Sequence, residues 1–222
     1  KHQEFEMASG EMNDEEFLHF LRSSCQQMAN YSIDGAIIYI CMDWRQLNLL
    51  LQAGREAFDE FKALCVWDKK TGGMGSLYRS QHELIAVFKS GTQPHINNVQ
   101  LGRYGRNRSN VWSYQGMSGF SKDRDKKLAL HPTVKNTSLV GDALLDCSSP
   151  GGLVLDPFAG SGTTALAAQR TNRRAAMIEL DPHYCDVILR RFCDATGLEP
   201  VNAATGEIVR KRNLDEKEAA NG

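Results

Sequence analysis

The chain of 222 residues carries 26 basic and 27 acidic side chains, with 41% hydrophobic and 24% charged residues. A chain of that length buries roughly 70% of its unfolded surface without disulfide staples, and its composition excludes a collagen, a disulfide scaffold and a wholly disordered protein. The net charge of −1 means that any contact with nucleic acid must come from a local basic patch.

The longest apolar run, Gly35 to Met42, is too short to span a bilayer, and no signal-peptide pattern opens the chain. The cysteines at positions 25, 41, 65, 147, 185 and 193 form no C-x-x-C pair and show no zinc-like spacing, and the six histidines show no ligand spacing. The expectation is a cytosolic protein with free thiols and no metal site. The chain begins at Lys1, which is not expected to be its natural start.

Residues 1–12 are polar and without period. Asn13-Asp14-Glu15-Glu16 reads as a capping box, and Phe17, Leu18, Leu21, Cys25 and Met28 follow it at helical spacing. Residues 36–42 read as a buried strand, and a helix carrying Leu47, Leu50 and Leu51 comes next. A second strand, Ala63 to Trp67, runs into a glycine-rich turn at Gly72-Gly73-Met74-Gly75, and a third strand covers Glu83 to Lys89. Helices alternating with short apolar strands predict a parallel α/β sheet covered on both faces.

From Gly91 to Leu130 the rhythm stops. Seven basic residues (Arg103, Arg106, Arg108, Lys122, Arg124, Lys126 and Lys127) face only Asp123 and Asp125, with Tyr104, Trp112 and Tyr114 interleaved. A stretch this long without regular structure is uncommon in a compact domain unless it is functional or disordered. The α/β pattern resumes with a helix from Thr137, a strand at Leu153–Leu155, a helix from Thr163 to Arg170, a strand at Ala176–Leu180 and a helix from Pro182 that Gly197 ends. The tail from Arg210 is charged and rich in small residues, and is expected to be disordered.

The densest signal is Leu153-Val-Leu-Asp156-Pro157-Phe158-Ala159-Gly160-Ser161-Gly162-Thr163-Thr164, a buried strand running into a glycine turn and straight into a helix. Doubly wound folds bind nucleotide-like ligands at such turns, where glycines let the ligand approach the backbone. Glu179 closes the next strand, 17 residues beyond Gly162, where an acid can accept the hydroxyl protons of a ribose. Three ligands compete. A dinucleotide fits the Gly160-x-Gly162-x-x-Ala165 spacing, whereas a P-loop would need lysine where Thr163 stands. S-adenosylmethionine has a ribose for Glu179 and an ammonium for Asp156, and demands no lysine.

Asp156-Pro-Phe-Ala-Gly-Ser-Gly-Thr-Thr164 resembles the cofactor motif of the amino DNA methyltransferases, and His131-Pro132-Thr133-Val134-Lys135 resembles their second cofactor motif. That second motif lies upstream, with the basic loop before it, which is the circularly permuted order of the β class. Trp67-Asp-Lys69, Gly72 to Tyr78-Arg79 and His82-Glu83 extend the resemblance over most of residues 13–200. It implies a doubly wound, mostly parallel, Rossmann-like α/β sheet with an irregular basic insertion. The domain would cover residues 13–200, with a DNA-recognition region at 91–130 and a C-terminal segment at 201–222.

The implied activity is methyl transfer from S-adenosylmethionine to the exocyclic amine of a flipped base in double-stranded DNA. Adenine N6 is favoured, with cytosine N4 as the alternative. Thr133, Lys135, Asp156, Phe158, Gly160, Ser161, Gly162, Thr163 and Glu179 would bind the cofactor. Tyr78, Arg79, Arg103, Arg106, Arg108, Lys122 and Arg124 would meet DNA. No metal is implied; a homodimer and a cytoplasmic, nucleoid-associated, prokaryotic or phage-type setting are.

Two departures stand out. Asn136 occupies a place where the family usually has proline. The family's catalytic Asp/Asn/Ser-Pro-Pro-aromatic motif does not occur in the 222 residues. In the permuted order it belongs upstream of Lys1, so the expectation is a preceding segment, with residues 1–12 as the mobile loop leaving it. That segment would also bring the strand beside Leu153–Asp156, without which a buried parallel sheet has a gap. Asp181-Pro182-His183-Tyr184 resembles the missing motif, but Asp181 and Pro182 equally read as a helix cap and first helical position. Two other readings stand beside the methyltransferase: a nicotinamide-dependent oxidoreductase, and a degenerate relative that binds cofactor or DNA without transferring.

Overall fold

The computed structural model describes residues 12–73, 77–116 and 135–209. The expectations for the loop at 1–11, for Lys122, Arg124 and Thr133, and for the tail from Arg210 lie outside them. The described residues divide into two compact units, one holding 12–116 with 142–149 and the other 135–141 with 150–209.

In the first unit, helix α1 (Asp14–Asn30) opens on the expected capping box. Asn13 Oδ1 accepts from the amides of Glu15 and Glu16, and the Glu16 carboxylate accepts from the Asn13 amide, each at 3.0 Å. Such a cap is worth about 1 kcal/mol. Leu21 and Cys25, one turn apart, are the buried residues of its inner face. Strand β1 (Ala36–Met42) follows, and helix α2 (Leu47–Ala57) begins where Asp43 Oδ1 accepts from the amides of Arg45 and Gln46. The core joins Leu21, Cys25, Leu49, Leu50, Ala53, Phe58 and Phe88. Leu50 and Phe88 are fully buried, which stabilises by about 2 kcal/mol each.

Strands β2 (Glu60–Asp68), β3 (His82–Ser90) and β4 (Val111–Ser113) complete a sheet of order β1-β3-β2-β4. The expected mostly parallel α/β sheet is present, with one strand that departs from it. β3 runs antiparallel to both β1 and β2, and only β4 lies parallel to β2, with Trp67 opposite Trp112. The physical reason is the β2–β3 connection, whose described residues carry no crossover helix and which turns back as a hairpin does. Because β3 reverses between them, β1, β2 and β4 point the same way and their carboxyl ends share one edge.

Helix α3 (Thr137–Cys147) is capped by Asn136, whose Oδ1 accepts from the amides of Ser138 and Leu139 at 2.9 and 3.3 Å. The residue that departs from the family's proline therefore starts the helix by a different physical route.

The second unit is a β-α-β element with one further helix. Strand β5 (Leu153–Asp156), helix α4 (Thr163–Arg170), strand β6 (Arg174–Met177) and helix α5 (Pro182–Thr196) follow in order. β5 and β6 pair in parallel from Leu153–Arg174 to Asp156–Met177. β6 begins two residues before the expected strand and ends at Met177, because the chain beyond it bonds to the glycine turn. Ile178 donates to the Asp156 carbonyl at 2.9 Å and accepts from the Ala159 amide at 3.0 Å. Asp181 caps α5 through the His183 amide at 2.8 Å, Pro182 takes the first turn, and Gly197 closes the helix with φ 72°. Asp181-Pro182 is thus a helix start.

Among the described residues, no helix is long and apolar enough to cross a membrane, and no group of three or more His, Cys, Asp or Glu side chains is placed to hold a metal.

Candidate functional site

The carboxyl ends of β5 and β6 build a candidate cofactor site within the second unit. Gly160 and Gly162 sit at φ 52° and 77°, left-handed conformations that favour glycine. Gly162 is the N-cap of α4 and, having no side chain, leaves that helix terminus without a side-chain cap. Asp156 folds the loop back: Oδ1 accepts from the Phe158 amide at 3.0 Å, and Oδ2 accepts from the Thr164 hydroxyl at 2.6 Å. Glu179 reaches the turn from just beyond β6. Its Oε2 accepts from the Gly160 amide at 2.7 Å and its Oε1 from the Asp181 amide at 3.0 Å. A carboxylate offers about four acceptor positions, so capacity for a diol remains.

Of the expected cofactor residues, Asp156, Phe158, Gly160, Gly162, Thr163 and Glu179 converge on this turn. Phe158 is exposed, and Thr163 is buried with its hydroxyl donating to the Lys135 carbonyl at 3.4 Å. That bond brings Lys135, from the upstream motif, to the start of α4. Ser161 is buried, 4% exposed, and its hydroxyl accepts from Arg191 at 2.7 Å while its carbonyl accepts from the same guanidinium nitrogen. The Ser161 side chain is therefore held by α5, and its backbone is what borders the turn.

Thr164, Ile188 and Arg191 join the turn as well, although none of them is among the expected cofactor residues. The available signal for Arg191 was its place three and four residues beyond Ile188 and Val187, on the side of α5 that packs inward.

In the first unit, the shared edge of β1, β2 and β4 is a further candidate surface. Asp68 organises it: Oδ1 accepts from the Lys70 amide at 2.9 Å and the Gln81 side chain at 3.0 Å, and Oδ2 from the Ser113 hydroxyl at 3.0 Å. These bonds hold the Asp68 carboxyl below its usual range, the Gln81 bond most of all. Lys69 pairs with Glu83 at 3.0 Å over the Trp67 ring. Arg79 donates to the carbonyls of Gly72 and Gly73, so its guanidinium shapes the turn, while Tyr78 beside it is exposed. Trp44, exposed after β1 with Arg45 stacked on it at 4.9 Å, joins this edge without having been singled out.

The basic stretch divides into two behaviours. Tyr104 is 88% exposed with φ 54°, and Arg106 lies over its ring at 5.5 Å; Arg103 is exposed beside them. Arg108 differs from these two in its partners. Its Nε donates to Asp146 at 2.5 Å, it stacks on Trp112 at 4.6 Å, and only 26% of its side chain is exposed. Burial pushes the Asp146 carboxyl up, and Arg108 opposes that shift. Tyr114 bonds to Asp142, and Asn98 donates to the carbonyls of Leu145 and Ser148 at 2.8 Å each. Arg108 thus ties the loop to α3.

Comparison with known proteins adds the following. The family model described as DNA methylase, of the N6 and N4 type, matches residues 2–190. The DNA adenine methyltransferase YhdJ of Escherichia coli strain K12 is 31% identical over 143 residues, covering 62% of this chain and 45% of that protein. The structure of the M1.HpyAVI–SAM complex superposes with a TM-score of 0.64 at 21% identity, over 82% of this chain and 85% of that one. The PvuII DNA methyltransferase, cytosine-N4-specific, gives a TM-score of 0.71 at 14% identity, over 98% and 82% of the two chains. These two likenesses show the fold. The chain spans less than half the length of YhdJ.

Proposed function

This chain belongs to the DNA methylase family of the N6 and N4 type, and on that premise we propose that it serves methyl transfer from S-adenosylmethionine to an exocyclic amine in double-stranded DNA. One observation carries the reading. β5, Asp156, the left-handed glycines and the open start of α4 form a cradle that Glu179 closes from just beyond β6 through the Gly160 amide at 2.7 Å. A ligand with a ribose and an ammonium fits a cradle whose side chains are carboxylates at Asp156 and Glu179.

The bound cofactor supplies a methyl group on a sulfonium. The protein supplies position, since direct displacement is favoured by alignment and electrostatic fit. In this reading Glu179 takes the ribose hydroxyls, Asp156 orients the turn toward the methionine end, and Lys135 and Thr133 border that end. The amine of a paired base lies inside the duplex, so the base must be turned out before reaction. Tyr78 and the Trp44–Arg45 pair border the space for it at the β1–β2 edge. Arg103 and Arg106 meet phosphates, as do Lys122 and Arg124, and Arg108 supports the loop that carries the first two. Adenine N6 is the favoured target, following the relative YhdJ; cytosine N4 is the alternative, following the PvuII enzyme. A cytoplasmic setting suits a DNA substrate, and a homodimer is part of the proposal.

Labelled methyl transfer to unmethylated DNA, followed by nucleoside mass spectrometry, tests this. N6-methyladenine or N4-methylcytosine in the digest is the expected outcome and identifies the base. Absence of both, with the full-length protein shown to bind S-adenosylmethionine, would overturn the transferase reading in favour of a cofactor-binding relative.

A further inference from the structure

Helix α5 touches the glycine turn at two successive residues. Arg191 donates through one guanidinium nitrogen to both the carbonyl and the hydroxyl of Ser161, the latter at 2.7 Å. One turn earlier, Ile188 fills the space where a Gly162 side chain would stand: a Cβ there would lie 2.9 Å from its Cγ2. Among the described residues no carboxylate pairs with Arg191, and burial together with the neighbouring Arg170 lowers its pKa. Holding a cation there without a counter-ion is costly, and both of its hydrogen bonds are spent on one residue of the turn. Ser161 in turn precedes Gly162, whose φ of 77° starts α4.

We propose that Arg191 is a positioning residue for the cofactor: by gripping Ser161 at two atoms it fixes the 161–162 peptide, and with it the left-handed turn that lets the ligand approach the backbone. This deepens the reading of the turn as an S-adenosylmethionine site and rests on it. Arg191 touches no ligand in this account and acts through Ser161.

The test compares Arg191→Met, Arg191→Lys and Val187→Ala by calorimetric titration with S-adenosylmethionine, alongside the thermal midpoint of each. Val187, 1% exposed on the same helix, reports the cost of loosening α5 without removing a donor to Ser161. Arg191→Met is expected to bind about 10-fold more weakly, the scale of losing hydrogen bonds from a charged donor. Arg191→Lys, which retains a cationic donor, should recover part of that loss. Val187→Ala, despite a fall in thermal midpoint, should stay within about threefold of the parent. If Arg191→Met weakens binding no more than Val187→Ala does, the residue is merely structural and the inference is overturned. If the unsubstituted protein itself binds no S-adenosylmethionine, the reading of the turn is what fails, and the inference falls with it.

Discussion

At the scale of single residues, the site depends on side chains that hold backbone. Glu179 accepts from two amides, Gly160 and Asp181; Arg79 donates to two carbonyls of the Gly72–Gly73 turn; and Asp156 closes the loop onto Phe158 and Thr164. Each spends part of its hydrogen-bonding capacity on shape. Glu179→Gln shows the consequence. The glutamine has one acceptor oxygen, so its NH2 group must face one of the two amide donors. Hydrogen bonds to a charged group are worth about 1.5–3 kcal/mol. The substitution is therefore expected to weaken S-adenosylmethionine binding by roughly 10- to 100-fold, read by titration calorimetry. Unchanged affinity would remove Glu179 from the site.

At the scale of elements, close approach decides more than propensity does. Gly54 lies within α2, where alanine would ordinarily stabilise a helix by about 1 kcal/mol. Here a Cβ would stand 2.3 Å from the Phe88 ring, and Phe88 is wedged between Phe58 and Phe61 at 5.2 and 5.3 Å. Gly54→Ala is accordingly expected to destabilise by about 1–3 kcal/mol, measured by urea denaturation. A gain in stability would show that the ring can move aside. The same contrast between local and long-range cause explains what could be read in the sequence. The capping box at Asn13, the strand–turn–helix at Asp156 and the αL closure at Gly197 are local signals, and each stands where the spacing placed it. The reversal of β3 depends on how the β2–β3 connection turns back, and β4 is three residues long within a stretch that has no period. The grip of Arg191 on Ser161 joins positions 30 residues apart. The anchoring of Arg108 by Asp146 likewise depends on a helix far along the chain, so composition alone made it look like its neighbours Arg103 and Arg106.

At the scale of the molecule, the two units differ in how much apolar surface they remove from water. The first has a four-stranded sheet with α1 and α2 packed on Phe88 and Leu50. Among the described residues of these 222, the second has a two-stranded sheet, with Leu153, Leu155, Ile178 and Leu180 exposed, and two strands alone are marginal. Cysteines report on both. Cys25, 1% exposed, and Cys65 belong to the first unit, and burial pushes both thiols up, Cys25 to about 11. Neither reacts readily near neutral pH, both for want of thiolate and for want of access. Cys193, also buried, belongs to the second unit. With rising urea, alkylation mapped by peptide mass spectrometry should modify Cys193 at a lower concentration than Cys25 and Cys65, because local opening follows local stability. A ligand bound to the glycine turn stabilises only the state that binds it, by about 2.7 kcal/mol at 100 times its Kd. Saturating S-adenosylmethionine should therefore move the Cys193 transition upward and narrow its gap to the other two. Modification of all three thiols in one transition, with and without the cofactor, would mean that the two units open together and that their separate cores do not set the order.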